Sequence, residues 1–191
     1  IIEYKEDSLV IIAKPGDLEW LDSRGIHFQI DVPDMKALYK SHNRAALTMG
    51  GFKTFSEIVS RLDFLKLTYP SIMTSKFSLG QSINGNNIWA IKISDNPEID
   101  ENEPELLYVS LIHAREPAAA ASLLNFMEHL LSNYGIDSEV TDLVNSREFY
   151  FVPVQNPDGY LWNQTTDPAG GGLWRKNRRL NSDASFGVDL N

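Results

Sequence analysis

The run Leu106-Leu107-Tyr108-Val109-Ser110-Leu111-Ile112 constrains the fold more than any other stretch of the chain. It is apolar on successive positions, and side chains alternate across a strand, so both faces of this strand are expected to be covered. Pro117, a residue suited to the first turn of a helix, follows shortly. Leu123, Leu124, Met127, Leu130, Leu131 and Tyr134 then repeat at helical spacing until Gly135 supplies a stop. A short helix fits residues 138–145, and Glu148 to Val154 returns as a second buried strand. This alternation predicts an α/β fold: a central mixed, mostly parallel sheet with helices on both faces.

Upstream, Thr54-Phe55-Ser56-Glu57 fits a capping box. Phe55, Ile58, Val59, Leu62 and Leu65 share one helical face after it, and Pro70 ends the helix. Residues 75–94 read as two strands around Asn84-Gly85-Asn86-Asn87, a cluster that tolerates positive φ. The acidic segment 95–105 reads as a solvated face. Near the N-terminus, Ser8 to Lys14 predicts a strand closed by Pro15-Gly16, Asp17 caps a helix over 17–24, and His27 to Val32 predicts another strand. That β-α-β piece is too small to own a core. Residues 41–51 carry few large apolar groups and read as a connection. The expected organisation is a small α+β segment over 1–45 and a main domain over 52–191.

Composition narrows the chemistry. A formal charge of -9 repels phosphate backbones and anionic headgroups, so nucleic acid and membranes are poor partners. No apolar run approaches the roughly 18 residues of a membrane span. The chain has no cysteine, which excludes thiolate nucleophiles and Cys-ligated metals and leaves His and carboxylates as metal ligands.

His113-Ala114-Arg115-Glu116 lies between the end of the buried strand and the start of a helix, where open α/β sheets place their ligands. A His and a Glu at this spacing can offer nitrogen and oxygen to one zinc ion, yet the tetrapeptide alone is more often an ordinary polar loop. Three further stretches change the balance: Asn156-Pro157-Asp158-Gly159-Tyr160, Leu173-Trp174-Arg175-Lys176-Asn177-Arg178-Arg179, and Gly187-Val188-Asp189-Leu190-Asn191. In order and spacing, the four together resemble the zinc carboxypeptidases of the carboxypeptidase A and T type.

The resemblance covers about residues 52–191 and implies a metallocarboxypeptidase with one Zn2+ ion, acting on the C-termini of peptides or proteins. It implies His113 and Glu116 as zinc ligands, Arg115 as a contact for the peptide upstream of the scissile bond, and Arg175 as the group that stabilises the oxyanion. It makes Asn191 part of the carboxylate-recognising pair and Asp189 the carboxylate that orients His113. A third zinc ligand and the general-base Glu are expected downstream of Asn191, so the chain reads as an incomplete, inactive fragment. Leu18 to Ile26, with the strand and Asp34 after it, is similar to the end of the propeptide of secreted procarboxypeptidases, which implies a zymogen and a secreted or periplasmic location. Asn156 and Asp158 read as turn-shaping, Trp174 and Tyr160 as packing, and Lys176, Arg178 and Arg179 as solvated or carboxylate-paired. His27, His42 and His129 lack ligand-spaced partners, and Asn163-Gln164-Thr165 fits a glycosylation sequon. Two other functions remain open: a non-catalytic peptide-binding module, and an amidohydrolase or deacylase sharing the His-x-x-Glu site.

Overall fold

The computed structural model describes residues 3–5, 8–34, 37 and 48–190. The chain divides into two compact units, Ile1–Met35 and Lys36–Asn191. In the first, β1 (Glu3–Lys5) pairs antiparallel with β2 (Ser8–Val10), and α1 (Pro15–Ser23) follows. The helix begins two residues before the expected start, because Pro15 takes its first turn. Asp17 then lies in that turn, and its Oδ2 accepts from the Lys14 amide at 2.8 Å. The expected strand over His27 to Val32 forms no ladder. Every one of its residues is exposed, and alternation alone cannot make a strand where no neighbour supplies hydrogen bonds. Of the expected connection 41–51, residues 41–47 lie outside the described residues, and Thr48–Gly51 forms a 3₁₀ turn.

In the second unit, α2 (Phe55–Thr68) opens with the expected capping box. The Glu57 amide donates to Thr54 Oγ1 at 3.3 Å, and the Thr54 amide donates to Glu57 Oε2 at 2.7 Å. Ile58, Leu62 and Leu65 are its buried face. Then come β3 (Phe77–Gln81), β4 (Asn87–Ile93), β5 (Glu105–Val109), α3 (Pro117–Asn133), α4 (Ser138–Val144), β6 (Glu148–Val152) and α5 (Pro157–Thr166). The sheet is mixed, with order β3-β4-β6-β5: β3/β4 and β4/β6 are antiparallel, and β5/β6 is parallel. The turn at Gly85 uses φ +80°, as its residues lead one to expect.

Register separates the two sheet faces. Ile91, Ile93, Phe149 and Phe151 alternate with Lys92, Glu148 and Tyr150. On the first face Phe126 of α3 meets Tyr108, Phe149 and Phe151 edge-on, with ring centroids 5.2, 6.4 and 5.8 Å away. On the other, Lys92 Nζ pairs with Glu148 Oε1 at 2.6 Å, and the side chains are 4% and 0% exposed. The 95–105 segment closes over this pair: the Glu101 amide donates to Glu148 Oε1 at 3.0 Å, and Lys92 donates to the Ile99 carbonyl. That segment is therefore a cover with an acidic surface, more than a solvated face. Among the described residues β5 is an edge strand of this sheet, and it departs from the expected two-sided burial. Leu107 and Val109 are 67% and 39% exposed, because one of its faces meets no other described element.

Candidate metal centre

The parallel strands β5 and β6 end side by side and hand over to the segments that carry the polar residues. The Ser110 amide donates to the Val152 carbonyl, and the Gln155 and Asn156 amides donate to the Ser110 and Leu111 carbonyls, each at 3.0 Å. Leu111, 1% exposed, adopts φ +51°. A left-handed leucine costs on the order of 1–3 kcal/mol and persists only where its surroundings impose it. Here the core holds the side chain while the backbone turns toward His113.

His113 is buried, its side chain 10% exposed. Its Nδ1 lies 3.1 Å from each carboxylate oxygen of Glu116. Nε2 is buried without a hydrogen-bond partner among the described residues, and the carboxylate facing it is Asp189, whose Oδ1 stands 3.5 Å away. Arg175 completes the group. Its Nε donates to Asp189 Oδ2 at 2.8 Å, and a terminal nitrogen lies 3.8 Å from Glu116 Oε1. Zinc binds nitrogen and oxygen at about 2.0–2.2 Å, so donors 3.1 Å apart are within reach of one ion. An imidazole with its second nitrogen buried against a carboxylate matches the outer partner that metal-bound histidines usually keep. The residues fit a zinc ion. Among the described residues no group of three possible ligands includes His113.

Residues 58–191 match the family model for zinc carboxypeptidase. The chain belongs to the zinc carboxypeptidase family. A zinc carboxypeptidase of Saccharothrix mutabilis subsp. capreolus is 36% identical over 97% of this chain and 44% of its own length. Rat carboxypeptidase A2 is 31% identical over 90% of this chain and 42% of its own length. The crystal structure of carboxypeptidase A from Helicoverpa armigera superposes with a TM-score of 0.75 at 25% identity, covering 91% of this chain and 44% of that one. The chain thus spans less than half the length of these zinc carboxypeptidase relatives.

Of the residues singled out in the sequence, His113, Glu116, Arg175 and Asp189 come together. Arg115 is exposed, and among the described residues no ion pair joins it to that cluster. Asn191 lies outside the described residues, as does His42. Asp158 is buried and shapes the β3–β4 turn: Ser82 Oγ, the Asn84 amide and Asn86 Nδ2 donate to it at 2.5, 3.1 and 2.8 Å. Asn156 caps α5, a helix where the sequence suggested only a turn, since Gly159 and the polar composition hid its pattern. Tyr160 packs as expected and is 1% exposed, with its hydroxyl donating to the Lys53 carbonyl at 2.5 Å. Burial, and then the nearby Glu57 charge, push that hydroxyl up to about 12.

Arg178 departs from the expected solvated or carboxylate-paired role. Its guanidinium sits 3.6, 4.3 and 4.8 Å from the rings of Trp162, Trp174 and Phe186. A cation this close to aromatic rings is attracted by them, and burial lowers its pKa. Asn163, the acceptor position of the sequon, is 3% exposed and spends its amide on backbone carbonyls. The folded chain cannot carry a sugar there.

Proposed function

We propose that the protein is a zinc-dependent metallocarboxypeptidase that hydrolyses the C-terminal peptide bond of peptides or proteins. One observation carries this reading: a buried His113 Nδ1 facing both oxygens of Glu116, with Arg175 at its edge, in a chain of the zinc carboxypeptidase family. His113 Nδ1 and the Glu116 carboxylate would hold one ion, together with a third ligand. Bound zinc supplies Lewis acidity, which acidifies water near neutral pH and polarises a carbonyl.

The chain's own residues do the rest. Nδ1 faces the Glu116 carboxylate, and a metal there would need the lone pair of that nitrogen, so the ring proton must sit on Nε2 when zinc is bound. The Asp189 carboxylate faces Nε2 at 3.5 Å and would favour the tautomer that leaves Nδ1 free. Arg175 carries a permanent charge and stabilises the oxygen that becomes negative as the peptide carbonyl is attacked. Arg115 contacts the substrate upstream of the scissile bond, and Asn191 contacts its terminal carboxylate. Residues 1–45 form a propeptide-like segment ahead of a catalytic part over 52–191, a reading supported by the division of the chain at Met35 and Lys36. The family resemblance supports a secreted or periplasmic enzyme.

The test is hydrolysis by the zinc-loaded natural protein of a peptide with a free C-terminus and of its C-terminal amide. Release of the last residue from the free peptide alone is expected. Arg175→Ala should lower kcat by about 10²–10³ with zinc content unchanged. Cleavage of both peptides alike, or normal kcat with a raised KM in the variant, would overturn these assignments.

A further inference from the structure

Two backbone segments carry the cluster, 112–116 with His113 and Glu116, and 174–176 with Arg175. They run past each other over α5, and among the described residues one backbone–backbone bond joins them, from the Ala114 amide to the Arg175 carbonyl at 3.0 Å. On either side of that bond a buried asparagine spans the gap. Asn156 Nδ2 donates to the Ile112 carbonyl at 3.2 Å and to the Lys176 carbonyl at 3.0 Å. Asn163 Nδ2 donates to the Ala114 carbonyl at 3.0 Å and to the Trp174 carbonyl at 2.8 Å, while its Oδ1 accepts from the Trp174 amide at 2.9 Å.

Only a carboxamide presents two donors and an acceptor on one small planar group. The space is cut to it: a Cβ on Gly172 would meet Asn163 Oδ1 at 2.6 Å, and one on Gly159 would meet the Lys176 carbonyl at 2.5 Å and Ala114 Cβ at 2.8 Å. Ala114 lies between the two candidate ligands and Trp174 directly precedes Arg175. The Asn163 bonds therefore fix the offset of Arg175 from the His113–Glu116 pair.

We propose that Asn163 is a positioning residue, whose buried carboxamide locks the metal-ligand loop to the segment bearing Arg175. This rests on the roles given above to His113, Glu116 and Arg175. A merely structural asparagine would cost stability alone. A positioning asparagine sets where the guanidinium stands, and a misplacement of about 1 Å can cost on the order of 10² in rate.

The test is a double-mutant cycle in the zinc-loaded natural protein, with Asn163→Ala, Arg175→Ala and both, measured well below the melting temperature. Amide hydrogen exchange on the metal-free forms gives a second readout. Asn163→Ala is expected to lower kcat by about 10-fold or more with KM and zinc content little changed. Adding it to Arg175→Ala should cost much less than it costs alone, since a misplaced arginine and an absent one lose the same contact. In the metal-free protein the Ala114 amide, bonded to the Arg175 carbonyl, should exchange faster in Asn163→Ala. Additive losses, or unchanged kcat and Ala114 exchange despite a lower Tm, would overturn the proposal and leave the site reading intact. Normal kcat in Arg175→Ala would instead sink the site reading on which it rests. If Asn163→Ala does not fold, Asn163→Ser, which keeps one donor, goes through the same cycle with the same criteria.

Discussion

Arg175 Nε and His113 Nε2 approach opposite oxygens of one carboxylate, that of Asp189, at 2.8 and 3.5 Å. Asp189 thus serves the imidazole and the guanidinium together, where the sequence suggested the imidazole alone. Asp189→Asn keeps the shape but removes the charge that faces both the guanidinium and Nε2. Removal of an outer partner typically costs about 10–100-fold in metal affinity. Competition titration with a zinc chelator should show a loss of that size in the natural protein, and an unchanged Kd would count against the role.

Lys92 and Glu148 give a prediction about stability. A buried pair broken on one side leaves an uncompensated charge, at a cost of about 3–5 kcal/mol. Lys92→Met should lower the denaturant midpoint accordingly, and Lys92→Met with Glu148→Leu should recover most of the loss. Equal losses for the single and the double variant would refute the pairing as the cause.

The same pair fixes a pH dependence. Burial alone would raise the Glu148 carboxyl, but the bonds from Lys92, the Glu101 amide and Tyr150 outweigh it and hold the pKa below its ordinary 4.5. Its folded value is depressed, so its contribution is complete above about pH 4.5 and is lost as pH falls through the folded value. Urea midpoints measured from neutral pH into the acid range should fall less steeply in Glu148→Gln than in the wild type. Parallel profiles would show that other carboxylates carry the acid sensitivity.

Gly159→Ala tests the close approach beneath the site. The added Cβ would strike the Lys176 backbone carbonyl, an atom that cannot rotate away. Overpacking of this kind costs about 1–3 kcal/mol, and thermal denaturation of the variant should show it. A variant as stable as the wild type would mean that the segments separate freely.

The long periodic elements were legible because one period dominated each. α3 runs over Pro117–Asn133 with Leu123, Leu124, Met127, Leu130 and Leu131 buried, and Thr54 with Glu57 marks the start of α2. α5 was missed because its buried face is Pro157, Asp158, Gly159, Tyr160 and Asn163, in which hydrogen-bonded polar groups replace apolar ones. The strand expected over His27 to Val32 had the right alternation, but pairing is a property of neighbours that a single stretch cannot report. In the site, the proximity of His113 and Glu116 follows from their spacing, since i and i+3 side chains meet locally, but their metal role rests on the family resemblance and not on the spacing. The contacts of Arg175 with Asp189, and of Asn163 with Ala114 and Trp174, join segments separated by a whole strand-helix unit or by a loop, and no local pattern encodes them.

The central claim is that His113 and Glu116 hold the metal while Arg175 does not. Zinc content and titration of the metal-free natural protein test it most directly, with the wild type beside His113→Ala, Glu116→Ala and Arg175→Ala. One zinc ion per chain is expected in the wild type and in Arg175→Ala, with stoichiometric binding lost in each of the other two. Stoichiometric zinc of unchanged affinity in His113→Ala or Glu116→Ala would contradict the account.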